Sequence, residues 1–451
     1  GPEDEKVIEE ISARKSVVSK IDLFSGNSRN LTKVELDNPA DLEWAPERFR
    51  ESSEGEVPYT VGYVYDHDLT FGAPYYLKEG KITPVSKIPT ALRSTFVERF
   101  LNIERTDPSK YELIERFFTM CSQKVPSVQL AKFGIEEGMD PRRLYLAFTL
   151  SRVTNLPIPM ACSSRRVSLW IRSMLHTYLR RRNILIPRSR ELRRRESKRH
   201  IQGALTFHPK SGIYFNTVVA DFASLYPSLI DAYNLSYETV DCSHPECVDN
   251  KVPSLSHHVC RRRRGVYSIL IGALKDLRIR WFKPLSRDTS IPVEERRLAE
   301  AVSNLLKLIL VSSYGVTVRI HGLAQPALAE SITAYGRYAL QESWDLAVSG
   351  GLRPIYGDTD SLFLDNPADE QIDWLIQAVK KRLRLDLAVD KRYSVCVLPR
   401  AMKAYFGIRK DGTPDVKGVA AIKSNSPVFI QNVFNDCVKE LKEVENWAQF
   451  E

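Results

Sequence analysis

The sequence predicts an α+β fold: a small antiparallel sheet with acidic residues at one end, together with several long helices. Three observations predict it. An apolar run over residues 213–220 stops abruptly at Asp221. Two short apolar stretches, 353–356 and 361–364, flank the tight turn Gly357-Asp358-Thr359-Asp360, as in a hairpin. Residues 266–283, 294–314 and a third stretch reaching 348 repeat their apolar positions at helical spacing.

Taken in order, residues 1–92 read as a small α/β unit: a short helical stretch at 8–12, a strand over 57–65, and a turn over 66–72. Gly1-Pro2 reads as the remnant of a removed tag, and no basic-then-apolar secretory pattern follows it. Residues 93–200 read as mostly helical, because Phe96, Val97, Phe100 and Leu101, then Leu113, Ile114, Phe117 and Phe118, recur on one face. The run at 213–220 is a buried strand. Pro284 and Pro292 bracket the turn between the first two long helices, and Pro326 stands near the start of the third, where proline is tolerated.

The chain has 451 residues, too many for one compact core, so two to four domains are expected. Lys plus Arg number 65 against 56 Asp plus Glu, a net charge of +9. The basic residues cluster at Arg180-Arg181-Arg182, at Arg188 to Arg199, and at Arg261 to Arg264. Such runs suit phosphate binding, and equally a solvated loop. No run of eighteen apolar residues is seen, so no membrane span is expected. Seven cysteines do not make a disulfide framework, which fits a reducing cytosol.

Asp221 follows a buried strand and Asp358 and Asp360 lie in a hairpin turn, so a sheet would project all three to one place. Acidic groups converging from separate strand ends suit a hard cation such as Mg²⁺. Two such ions about 3.5–4 Å apart can activate an attacking hydroxyl and stabilise a leaving pyrophosphate. An isolated Gly-Asp turn is more often plain turn chemistry. Lys307, Val311 and Tyr314, spaced i, i+4 and i+7, share one helix face, where a cation and an aromatic would suit a triphosphate and a base pair.

The strings are not isolated. Asp221-Phe222-Ala223-Ser224-Leu225-Tyr226-Pro227-Ser228 resembles the first palm motif of family-B DNA polymerases. Lys307 to Gly315 resembles the second, and Tyr356-Gly357-Asp358-Thr359-Asp360-Ser361 matches the third, in the family's order. Ile201-Gln202-Gly203-Ala204, Thr333-Ala334-Tyr335-Gly336-Arg337 and Met402-Lys403-Ala404-Tyr405 resemble further family segments, and residues 65–71 resemble the end of an archaeal N-terminal domain.

The resemblance implies a right-hand polymerase with an antiparallel palm sheet, two-helix fingers, a reduced thumb and a small N-terminal α/β domain. It divides the chain into an N-terminal domain (1–92), a helical connector (93–200), palm (201–262 and 318–400), fingers (263–317) and the start of a thumb (401–451). It implies two Mg²⁺ ions, with Mn²⁺ able to substitute, held by Asp221, Asp360 and the Phe222 carbonyl, with Asp358 in support. It implies nucleotide contacts at Ser224, Leu225, Tyr226, Lys307, Val311 and Tyr314, with Tyr226 excluding a 2′-hydroxyl. Arg278 is the expected second phosphate ligand, with Arg280 or Lys283 as alternatives. DNA contacts are implied at Gly203, Gly315, Thr359, Lys403 and Tyr405. The implied partners are primer-template DNA, dNTPs, and a sliding clamp or a subunit completing the thumb, in the archaeal cytosol near the nucleoid.

The sequence departs from the family pattern in three places. Val311 replaces an asparagine, and the Lys-Lys-Arg-Tyr segment is reduced to Lys403 and Tyr405. The 3′→5′ exonuclease domain is expected to be missing: the segment from Asp107 resembles the helix after its last motif, with Ile103 where a tyrosine would stand. Asp41-Leu42-Glu43 and Asp66-His67-Asp68 resemble its metal-binding strings only superficially. The resemblance is to an archaeal branch lacking that domain. Cys242, Cys247, His257 or His258, and Cys260 suggest a structural Zn²⁺ site, with His258 preferred. Two functions follow as expectations: a non-proofreading DNA polymerase, in lesion bypass or repair, or a catalytically silent DNA-binding scaffold subunit.

Overall fold

The computed structural model describes residues 13–23, 28–36, 64, 67–79, 81–84, 88–123, 141–162, 167–187, 201–319, 324–423, 426–444 and 446–450. The predicted stretches at 8–12 and 57–63 fall outside these. In chain order the elements are β1 (Ala13–Leu23), β2 (Ser28–Leu36), β3 (Tyr75–Lys78), β4 (Lys81–Pro84), α1 (Thr90–Thr106), α2 (Pro108–Ser122), α3 (Pro141–Thr154), α4 (Ile158–Cys162), α5 (Val167–Arg181), β5 (Ile184–Leu185), β6 (Gly212–Phe222), α6 (Leu225–Ala232) and α7 (Val266–Leu277). There follow α8 (Val293–Arg319), α9 (Pro326–Ser349), β7 (Pro354–Asp358), β8 (Ser361–Leu364), α10 (Asp369–Leu383), β9 (Leu387–Leu398), β10 (Tyr405–Arg409), β11 (Pro414–Lys417), α11 (Val428–Leu441) and α12 (Trp447–Phe450). The chain divides into two compact units, and each draws on separated segments.

The first unit takes Gly1–Arg199, Asn234–Asp249 and Val259–Ala329. Its helical core forms where the predicted apolar faces meet. Phe96 lies 4.8 Å from Phe100 and 4.7 Å from Phe118, which meets Trp281 edge-on at 4.7 Å. The Asp107 carboxylate caps α2 by accepting the Lys110 N–H at 3.2 Å, with Pro108 at the first helical position. All of α7 is buried. Its start is fixed by Glu238, which accepts the Val266 N–H at 2.6 Å, and by the Ser236 hydroxyl, which accepts the Tyr267 N–H at 3.0 Å. The α7 axis continues into a π-helical turn at Arg278–Phe282.

One stretch departs from the membrane expectation. The helix Val293–Val318 is long and apolar enough, by length and composition, to cross a membrane, its most apolar 18 residues having a mean hydropathy of 1.5. Lys307 and polar residues such as Asn304, Ser312 and Ser313 interrupt its apolar run without lowering the average of its most apolar part much. In this unit it packs against α3, α5 and α7, as a core helix does.

The second unit takes His200–Tyr233, Asn250–His258 and Glu330–Glu451. Its centre is a six-stranded sheet in the order β11-β10-β9-β6-β8-β7, with every recorded pairing antiparallel. β6 lies between β9 and β8, so Val218, Val219 and Ala220 are buried, as a continuous apolar run requires. Val219, Ile355, Tyr356, Phe363 and Tyr393 form one core cluster, while Phe434 and Val438 of α11 pack with Val395 and Ile408 in another.

Gly265 makes the start of α7 possible, since a Cβ there would lie 2.3 Å from the Ser236 Cβ. Gly265→Ala is expected to destabilise the first unit by about 1–3 kcal/mol. A denaturant titration checks this, and an unchanged midpoint would show that the cap relaxes freely.

Candidate active site

The sheet register brings the predicted carboxylates to one end. Asp221, near the end of β6, is paired with Ser361 of β8, and Asp358 at the end of β7 is paired with the same Ser361. The Phe222 N–H donates to the Asp360 carbonyl at 2.9 Å, tying the turn to β6. Neighbouring strands run about 4.8 Å apart, so carboxylates from three successive strand ends are concentrated in a small space. The turn is tight: the Asp360 N–H donates to the Asp358 carbonyl at 2.6 Å, and Thr359 has φ of 61°. A β-branched residue in the left-handed region costs about 1–3 kcal/mol. The Thr359 N–H bond to the Leu205 carbonyl at 3.0 Å helps hold it there.

The three carboxylates have different surroundings. Asp358 is 5% exposed. The Lys403 ammonium hydrogen-bonds one of its oxygens, joined by the Thr206 hydroxyl at 3.2 Å, and Lys417 lies 3.8 Å from the other. Asp360 is half-buried, and its carboxyl is pushed above the usual range, first by burial and then by the Asp358 charge, against the opposing pull of Lys417 and Lys403. A bound cation would relieve that cost, and oxygen donors in this arrangement fit Mg²⁺.

The nucleotide-binding candidates of this unit surround the start of α6. Ser224 takes the left-handed conformation, φ 54°, and turns the chain from β6 into the helix, whose first turn includes Leu225 and Tyr226. Phe222 is buried, and its N–H is taken by the Asp360 carbonyl. The half-buried Tyr226 ring lies beside Gly336 of α9, where a Cβ would come within 3.1 Å of the ring. Arg337 donates to the carbonyls of Gln202 and Gly203, both at 2.9 Å, fastening that segment to α9. Tyr405 is 4% exposed and packs edge-on against Phe363 at 5.0 Å. Its ring is thus part of the sheet core, which leaves Lys403 as the exposed group of that pair.

In the first unit, Lys307, Val311 and Gly315 are exposed on α8 and Tyr314 is half-buried. Val311 is 69% exposed and offers no hydrogen bond on this face. Arg278 lies in the π-helical turn, its Nε donating to the Ser303 carbonyl at 3.1 Å, and burial lowers its pKa. Of its alternatives, Arg280 lies 3.9 Å from Asp276. Several clustered arginines also have partners within this unit: Arg181 with Asp68 at 2.7 Å, Arg182 with Glu112, and Arg264 with Asp107 at 3.0 Å. The basic residues from 188 to 199 and Asp41-Leu42-Glu43 lie outside the described residues.

The thiol cluster needs one correction. Cys242, Cys247 and Cys260 do come together, but the histidine with them is His244, not His258. The Cys260 sulfur lies 3.4 Å from His244 Nδ1. His258 instead forms a bridge with Lys251 in the second unit, and His257 pairs with Glu330 at 3.2 Å. The short 3₁₀ turn Pro245–Cys247 brings His244 back towards the sulfurs. The Cys-x-His-x-x-Cys spacing was the available signal. Burial pushes the Cys242 thiol up to about 11, while the Arg261 N–H holds Cys247 below its ordinary value.

The family model for DNA polymerase family B matches residues 157–449. The chain belongs to this family. Among its relatives, "DNA polymerase 1" of Sulfurisphaera ohwakuensis is 37% identical over 309 residues, covering 66% of this chain and 35% of the relative. "DNA polymerase 1" of Saccharolobus solfataricus is 37% identical over 328 residues, covering 70% of this chain and 36% of the relative. The chain thus spans about a third of the length of these curated relatives. The solved family-B polymerase of Pyrobaculum calidifontis superposes with a TM-score of 0.59 at 18% identity, covering 98% of this chain and 77% of that one. That likeness shows the fold, and the predicted α+β polymerase architecture is borne out.

Gly336→Ala is expected to leave the melting temperature unchanged or raised, since alanine favours a helix over glycine by about 1 kcal/mol. The added methyl should displace the Tyr226 ring and change the Kd for a dNTP. Equal Kd values for parent and variant in a nucleotide titration would show that the ring has room to move.

Proposed function

We propose that this chain extends a DNA primer with dNTPs under the direction of a DNA template, using two divalent cations. The observation that carries the reading is the convergence of Asp221, Asp358 and Asp360 at one sheet end in a member of family B. Asp221, Asp360 and the Phe222 carbonyl would hold the ions, Mg²⁺ or in its place Mn²⁺. When bound, such ions make the primer 3′-hydroxyl a better nucleophile and neutralise the leaving pyrophosphate.

The chain's own residues do the rest. Asp358, bonded to Lys403, shapes the field around Asp360 rather than serving as a main ligand. The first turn of α6 offers backbone N–H groups to the triphosphate, as helix N-termini do. Tyr226, backed by Gly336, would exclude a ribose 2′-hydroxyl. Lys307 and Arg278 would neutralise phosphate charge, a main source of catalysis in such transfers. Lys403 would contact the primer-template. Asp68 and Asp107 are bound to arginines, which supports a chain that extends without 3′ excision and so suits lesion bypass or repair. Val428 and Phe429 are 70% and 65% exposed on α11, a surface suited to a protein partner such as a sliding clamp.

The exposed Val311 favours one second reading, a silent DNA-binding scaffold. Primer extension with Mg²⁺ and dNTPs separates the two. The parent should extend, Asp360→Asn should not, and both should bind DNA equally. No extension by the parent with intact DNA binding would leave the scaffold. Asp358→Asn should retain more activity than Asp360→Asn, and equal losses would give Asp358 a ligand's role. Lys307→Ala should lower kcat/KM for dNTPs by roughly 10²-fold, and an unchanged value would remove Lys307 from the site.

A further inference from the structure

We infer that Cys242, His244, Cys247 and Cys260 bind one structural Zn²⁺ that anchors the segment leading into α7. Their four donor atoms all lie within 4.8 Å of one another. Tetrahedral zinc with S₃N ligands has edges of about 3.8 Å between sulfurs and about 3.5 Å between sulfur and nitrogen. The observed 3.4 Å between Cys260 Sγ and His244 Nδ1 matches the second of these. The three thiols are 7%, 0% and 3% exposed in chain order, and the imidazole is half-buried. A disulfide would use two of the sulfurs and leave the third thiol and the imidazole clustered without purpose. Thiolate and imidazole donors select zinc over Mg²⁺ or Ca²⁺, which take oxygen.

Groups around the donors already suit a metal. The Arg261 N–H donates to Cys247 Sγ at 3.3 Å. Such N–H···S bonds orient metal thiolates and disperse their charge. Three thiolates and one Zn²⁺ carry a net charge of about −1, and the Arg261–Arg264 run adjoins Cys260.

The backbone is fixed as well. Val240 and Val259 form an antiparallel bridge, and the Cys260 N–H donates to the Thr239 carbonyl at 2.8 Å. The Asn234 amide donates to the carbonyls of Cys260 at 3.1 Å and Arg263 at 2.8 Å, and accepts the Gly265 N–H at 2.7 Å. A metal at this point would close the excursion between Cys247 and Cys260 and hold the approach to α7. The inference does not rest on the polymerase reading, because zinc content is measured without any extension assay.

The full chain, purified under reducing conditions without chelator, should contain one zinc. Cobalt exchanged into it should give thiolate-to-cobalt charge-transfer bands and the visible bands of a tetrahedral site. His258→Ala should keep the metal. His244→Ala should weaken zinc at least roughly tenfold in a chelator competition and change the cobalt spectrum. Cys260→Ser should lose the metal. Should that variant fail to fold, chelation of the parent reads the same point, with faster hydrogen exchange over 234–266 in the metal-free chain. A reduced parent that takes up neither zinc nor cobalt would overturn the inference. So would loss of metal from His258→Ala with retention in His244→Ala.

Discussion

Like charges resist being gathered, and this repulsion is the constraint around which the second unit is organised. Asp360 feels the Asp358 charge and has lost part of its hydration, so its ionised form is disfavoured. Antiparallel register supplies the opposing force. β6 and β8 are locked by a continuous ladder and β7 joins β8 with one irregularity between Pro354 and Tyr356; their apolar residues are buried, and a one-residue slip would send Val219 and Phe363 to the wrong face. Lys403 and Lys417 then offset one of the three charges. They are held by the same architecture: the Lys403 N–H donates to the Tyr356 hydroxyl at 2.9 Å. Gly418, φ 65°, allows close approach, since a Cβ there would lie 2.0 Å from the Lys403 carbonyl.

The first unit depends on a comparable device made of polar groups. α7 is buried along its whole length, so its orphan N–H groups cannot turn to water. Glu238 and Ser236 satisfy the first two, and Asn234 ties that cap to the loop at 260–265. Burial raises the Glu238 pKa, while its bonds from Ser236 and Val266 favour the ionised form. The sequence between the first acidic motif and α7 therefore does structural work with few apolar residues. This is why its order matters to the helix that leads into the π turn at Arg278.

Much of this was legible in the sequence, and the misses have physical reasons. A buried strand ending in Asp221 and a hairpin around Asp360 are local patterns, and the register did no more than bring them together. The helices from 266, 293 and 326 followed from period and proline placement. The π turn did not, because one extra residue per turn leaves the apolar period almost unchanged. His258 stands two residues from Cys260 in sequence, yet it is the turn at Pro245 that brings His244 to the sulfurs. Tyr405 was read from its motif as a nucleic-acid contact, but strand alternation sends its ring into the core. The clustered arginines were counted as a charge pattern. Their carboxylate partners Asp68, Glu112 and Asp107 lie far away in sequence, and only the fold reveals them.

The departure at position 311 gains meaning from its neighbours. An exposed valine one turn beyond Lys307 leaves a helix face with a cation, two aliphatic groups and a half-buried tyrosine. Leu308 on that face is itself 50% exposed. In the role proposed for it, such a surface would attract phosphate by charge and accept a base by shape, without a side-chain amide to score its edge. Recognition would then rest on packing, which discriminates by about 1–3 kcal/mol per methylene and rejects isosteres poorly. In the second unit the Tyr226 ring lies against Gly336 of α9, which would back any steric demand it makes on a sugar. A chain built this way would be strict about the sugar and tolerant about the base.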